Sequence, residues 1–140
     1  LGQEESHLVH TRTSSFALFA LESFNFDLFD LDVGGRLESV NLKNTSMERG
    51  FFPGAFSSTI KREIFTNNTA FAGFDFTERA PNSVELFANG PHHALEQFEV
   101  GDSNMDVETS YNFSLGYSYK DGLDNLKIET YYPFTIIRIK

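Results

Sequence analysis

Apolar and polar side chains trade places at nearly every residue over several stretches of this chain, most clearly from Thr109 to Lys120. Odd positions there read Thr109, Tyr111, Phe113, Leu115, Tyr117 and Tyr119; even positions read Ser110, Asn112, Ser114, Gly116, Ser118 and Lys120. Successive side chains on a strand point to opposite faces, so this stretch predicts a strand with one aromatic face and one polar face. The pattern recurs along the chain. Asp30, Asp32, Gly34, Arg36 and Glu38 share one face of a second strand, with Leu31, Val33, Leu37 and Ser39 on the other. Charged groups repeated along one face do not sit in a dry core unless they are paired, so that face meets water or carries ion pairs. Phe56, Ile60 and Ile64 oppose Ser57, Thr59, Lys61 and Glu63, with Arg62 on the apolar side near a turn, where its guanidinium can reach a polar interface. Ala70, Ala72, Phe74 and Phe76 oppose Gly73, Asp75, Thr77 and Arg79, and Phe71 breaks the polar face.

Residues 12–24 are apolar on both faces. The density of Phe favours strand there over the competing helix, although Phe16, Phe19, Ala20 and Leu21 also suit a helical face. The expectation is therefore an all-β antiparallel meander of about six long strands, at 12–24, 30–42, 55–64, 69–79, 109–120 and 125–132. Pro133 closes the last of these, because proline cannot donate to a ladder. Connections are expected to alternate between short turns and long polar loops, the long ones at 43–54 and 80–108. Asn67 and Asn68 lie in a short turn, asparagine tolerating positive φ. Residues 1–11, with His7 and His10, read as a loop or frayed end.

Composition narrows the reading. At 140 residues the chain has the size of one domain, and its net charge of −9 argues against a nucleic-acid surface, which needs clustered Lys and Arg. Cysteine is absent, which excludes disulfides and thiolate metal sites. No run of 18 apolar residues offers a membrane-spanning helix, and no signal peptide is visible. Strands of ~9–11 residues, apolar on one face and polar on the other, with short turns at one end and long loops at the other, are the grammar of outer-membrane barrels. A soluble barrel or sandwich shows the same alternation, and a soluble, non-catalytic all-β binding module stays open as the alternative.

The stretch from Arg79 to Tyr119 adds what periodicity cannot. Arg79-Ala80-Pro81, then Glu85-Leu86-Phe87-Ala88-Asn89-Gly90-Pro91-His92, Phe98-Glu99-Val100-Gly101-Asp102, Glu108, and Asn112 with Leu115-Gly116-Tyr117 closely resemble TonB-dependent outer-membrane receptors. In that family such a block joins two strands of the C-terminal half of the barrel through an external loop. The resemblance implies an incomplete segment, over 1–140, of a transmembrane barrel of about 22 strands closed around a plug. It also implies residence in the outer membrane of a Gram-negative bacterium. Uptake of a scarce nutrient would be energised by the TonB complex through parts absent from this chain. A plug and a TonB box are not seen, and residues 133–140 depart from the pattern, so a fragment without transport competence of its own is expected. Ser114 stands where relatives often carry an acid.

Candidate chemistry lies in the long loop. His92 and His93 neighbour Glu85, Glu96, Glu99 and Asp102, and imidazole with carboxylate suits Zn²⁺ and similar ions. The GPHHAL segment is similar to receptors that take up zinc, which implies a metal ion or metal chelate as transported ligand and no resident cofactor. Adjacent residues of an extended chain point apart, so one histidine, His92 by its motif position, is expected to act with a carboxylate. The bland alternative is that His92 serves loop structure. Asp32, Arg36, Glu38, Asp75 and Arg79 are expected to form ion pairs in the wall. Enzyme chemistry is not indicated: Glu96 and Glu99 lie in a loop at a spacing that supports no glycosidase pair, and no nucleophile elbow or phosphate-binding glycine loop occurs.

Overall fold

The computed structural model of the chain describes residues 10–92, 97–120 and 127–138, and of residues 91–92, 97 and 127–133 it describes the backbone alone. Its main sheet contains β1 (Arg12–Asn25), β2 (Asp30–Lys43), β3 (Glu48–Phe51), β4 (Gly54–Phe65), β5 (Asn68–Arg79), β8 (Glu108–Lys120) and β9 (Lys127–Arg138). Between β5 and β8 lie the short helix α1 (Ser83–Phe87) and a separate hairpin of β6 (Asn89–His92) and β7 (Gln97–Val100). The order across the main sheet is β1-β2-β4-β5-β8-β9, all antiparallel, with β3 also on β2. The expected meander is thus present, with β1 and β9 outermost among the described strands. Residues 12–24, for which helix competed with strand, lie wholly within β1.

Register separates the two faces. One row of directly opposed residues runs Gly34, Ser57, Asp75, Asn112 and Thr135 across five strands. The adjacent row, on the other face, runs Val33, Ser58, Phe74, Phe113 and Phe134. On the apolar face Phe74 packs on Phe113 with centroids 5.0 Å apart, Phe76 on Tyr111 at 5.5 Å, and Phe56 reaches Phe74 at 6.5 Å. Directly opposed aromatic pairs of this kind tie neighbouring strands together. The face is nonetheless bare: Phe113 is 47% and Leu115 66% exposed. No helix among the described residues is long and apolar enough to cross a membrane.

Three expectations need correcting. Residues 43–54 are not a long loop. β3 and β4 hold β2 in one continuous register, Val40 opposite Phe51 and Leu37 opposite Gly54, interrupted only at residues 52–53. Pro53 lacks the N–H that would continue the ladder, but its carbonyl still accepts from the Glu38 N–H at 3.0 Å. The connection shrinks to residues 44–47, where the Asn44 side chain accepts from the N–H groups of Ser46 and Met47 at 2.8 and 2.7 Å. Residues 80–108 are not irregular throughout, since they hold α1 and the β6–β7 hairpin, and Glu108 already belongs to β8. Pro133 does not end the last strand: β9 passes through it, opposite Ser114, and continues to Arg138. Within the described sheet β9 has a neighbour on its β8 side alone, a setting in which a residue without a donor is tolerated.

With these changes the described sheet has a long connection, between β5 and β8, at one end and short turns at 26–29 and 66–67 at the other. In the second turn Asn67 adopts φ 66. The expected turn at 121–124 lies outside the described residues.

Candidate functional site

The long connection is built on the polar face at the loop end of the sheet. Leu42, Phe51, Leu86 and Phe87 form the hydrophobic cluster there, with Val40, Ala80, Met105 and Val107 against it. Leu42 shares the strand parity of Arg36 and Glu38, so this cluster seats α1 over the polar face rather than the aromatic one. Burial of two such aromatic rings and two leucines stabilises the seat by roughly 1.5–3 kcal/mol each. Arg49 reinforces it, its guanidinium donating to the carbonyls of Ser103 and Met105, the latter at 3.0 Å, and lying over the Phe51 ring.

α1 begins with a reciprocal cap. The Asn82 side chain accepts from the N–H groups of Val84 and Glu85, both at 2.9 Å, and the Glu85 carboxylate accepts from the Asn82 N–H at 2.7 Å. Arg79, the last residue of β5, grips the same carboxylate through two nitrogens at 2.9 and 3.0 Å, and donates to Glu108 at 2.8 Å. One guanidinium therefore joins the end of β5, the helix and the start of β8. Its planar fork suits the bidentate part of that task, which a lysine ammonium does not match. The Glu85 carboxyl is held below its usual range, first by Arg79 and then by the Asn82 N–H, against a smaller opposing effect of burial.

The returning segment locks beneath the helix. The Gly101 N–H donates to the Ala88 carbonyl at 2.7 Å and the Asp102 N–H to the Glu85 carbonyl at 2.8 Å. A Cβ on Gly101 would sit 2.8 Å from the backbone of Glu85, Leu86 and Phe87, so only glycine permits the approach. Gly116 has a comparable reason: the Phe71 ring on the opposite strand occupies the place of its missing Cβ. Phe71, which interrupts the polar pattern of β5, is thus the lid on a glycine.

Among the described residues no three His, Asp or Glu side chains come together as a metal group, and the side chains of His92, His93 and Glu96 lie outside the described residues. Gly90 and Glu99 face each other in the β6–β7 ladder, as do Pro91 and Phe98, and His92 and Gln97. Phe98 is exposed, and Glu99 is half-buried with one carboxylate oxygen buried and without a hydrogen-bond partner among the described residues. Asp102 accepts from the Asn104 N–H at 2.8 Å, capping its own turn. His7, His93 and Glu96 lie outside the described residues; His10 is exposed. Of the motif residues, Pro81 and Leu86 are buried, and Asn112 lies on the polar face between Asp75 and Thr135.

Along the sheet the polar face is a self-paired wall. Asp32 accepts from Lys61 at 2.5 Å and from Ser23 at 2.7 Å, Arg36 pairs with Glu38 at 2.9 Å, and Thr135 donates to Asn112 at 2.8 Å. Asp75, expected in an ion pair, has none among the described residues and instead receives a long contact of 3.5 Å from Asn112. The sheet's curvature leaves a groove of about 850 Å³ lined by Arg36, Ser57, Asp75, Arg79 and Asn112. Asn82 and Arg49 are the working residues that the alternation did not single out. The Asn-x-x-Glu spacing of a capping box marks the first; nothing local marks the second.

A wall with one wet and one bare aromatic face, and a motif spent on folding a loop over the wet side, agrees with the family comparison. A family model described as TonB dependent receptor-like, beta-barrel, matches residues 8–132. The match stops one residue before Pro133. No solved structure matches the chain.

Proposed function

Because this chain belongs to the TonB-dependent receptor β-barrel family and so resides in the Gram-negative outer membrane, we propose that it serves the uptake of a metal ion, zinc foremost, or of a metal chelate. The chain supplies part of the barrel wall and one external loop. Its aromatic face meets hydrocarbon, its polar face lines the lumen, and the loop between β5 and β8 overhangs the mouth.

The observation that supports a metal is the Glu99 carboxylate. A buried carboxylate oxygen with no hydrogen-bond partner among the described residues is costly unless a cation or donor reaches it. Position 92 lies two residues along β6 from Gly90, the ladder partner of Glu99. One imidazole with one carboxylate makes half a zinc site, and groups outside this chain would complete it. Energy for uptake would come through the TonB complex, by way of segments other than these strands.

Zinc titration by calorimetry of the receptor carrying this segment, in detergent, tests the reading. Glu99→Gln and His92→Ala should each weaken binding about tenfold or more, a loss of ~1.4 kcal/mol or above, while His93→Ala does less. Unchanged affinity in Glu99→Gln and His92→Ala would dismiss zinc at this loop.

A further inference from the structure

We propose that Arg62 is a binding site for the phosphate of an inner-leaflet phospholipid, fixing the depth of this wall in the membrane. In β4, Lys61 and Glu63 belong to the lumen face; Arg62 lies between them on the aromatic face, directly opposite Ala70, which is in turn opposite Tyr117. Arg62 is exposed, and it makes no ion pair or hydrogen bond among the described residues, in contrast to Arg36, Arg49 and Arg79. A guanidinium on the hydrocarbon side is unfavourable unless it reaches an anion at the interface.

Its surroundings place it at that level. The turn at 66–67 begins four residues later, and short turns of such barrels face the periplasm. Around this rim Phe24 stacks with Phe26 at 6.4 Å, and Phe26 lies 4.8 Å from Phe29. Phe26 and Phe65 remain 51% and 73% exposed, although they stand at the ends of strands rather than within the span. Aromatic rings at strand ends mark the headgroup boundary. The small Ala70 stands between Arg62 and Tyr117 in the register. A phosphodiester fits this setting: its anionic oxygens accept from the guanidinium fork while its acyl chains lie on the aromatic face.

The test uses the full chain in vesicles of phosphatidylglycerol and phosphatidylethanolamine. Solid-state NMR on the wild type should show direct transfer between lipid ³¹P and labelled Arg62 side-chain nitrogen; absence of transfer overturns the proposal. Native mass spectrometry after detergent extraction should show roughly fivefold less retained phosphatidylglycerol for Arg62→Gln, the effect of one basic group near an anionic surface, with recovery in Arg62→Lys. Lys120→Gln, at the same end but of the lumen parity of Asn112, should retain lipid as the wild type does. Equal loss in Lys120→Gln, no loss in Arg62→Gln, or displacement of the lipid by inorganic phosphate would each contradict the assignment.

Discussion

At the scale of single residues the loop hangs on one carboxylate. Glu85 caps its helix, accepts both arms of Arg79, and through Arg79 is tied to Glu108. Arg79→Ala should therefore loosen the loop base by about 1–2 kcal/mol, because the network is part-exposed and water takes over some of its contacts. Hydrogen exchange at the amides of residues 85–88 would register it. The pH dependence has a definite sign. Glu85 has its pKa lowered from the ordinary value of 4.5, so its stabilising contribution is fully present above that value and is lost as pH falls through the depressed one. Protection factors in α1, which remove the intrinsic pH dependence of exchange, should fall in acid below pH 4.5, and Glu85→Gln should flatten that fall. The capping half of this network is legible in the Asn-x-x-Glu spacing. The other half is not, since Glu108 lies 29 positions from Arg79 and meets it only once the loop has closed.

At the scale of elements, two glycines with different surroundings separate a packing requirement from mere presence. Gly101→Ala must push into the backbone of α1, and a loss of roughly 1–3 kcal/mol in loop stability is expected. Gly35→Ala, where an added Cβ meets nothing within 4 Å, should leave the sheet unchanged or slightly firmer. Thermal melts in detergent, with proteolysis to report on the loop, would compare them. Alternation made the strands readable because a period of two survives almost any context. Connections were harder to read. Residues 43–54 looked like a loop because Gly50, Pro53 and Gly54 mimic turn composition, yet β2 supplies a partner for both flanks of the proline. Pro133 misled for a related reason, as its penalty depends on whether the strand is central or at an edge, which only the sheet order reveals.

At the scale of the molecule, the buried apolar residues gather under the loop, while the aromatic face of the sheet stays exposed among the described residues. A soluble sandwich hides that face; a membrane wall offers it to lipid. The chain should accordingly need detergent or bilayer, and a cooperatively melting monomer in plain buffer would count for the soluble module. The family and the two faces were legible from the sequence. The Arg79–Glu85–Glu108 junction required the fold, and the metal group rests on residues of which only Glu99 and Asp102 have described side chains.

The central claim, hydrocarbon on one side of the sheet and water on the other, is open to a direct measurement. The chain has no cysteine, so single cysteines at positions 111–115, 117 and 118 of β8 can each carry a spin label in reconstituted bilayers. Collision rates with oxygen, which partitions into lipid, should be high at 111, 113, 115 and 117. Those with a water-soluble nickel complex should be high at 112, 114 and 118. Uniform accessibility along the strand, or the opposite phase, would contradict the account.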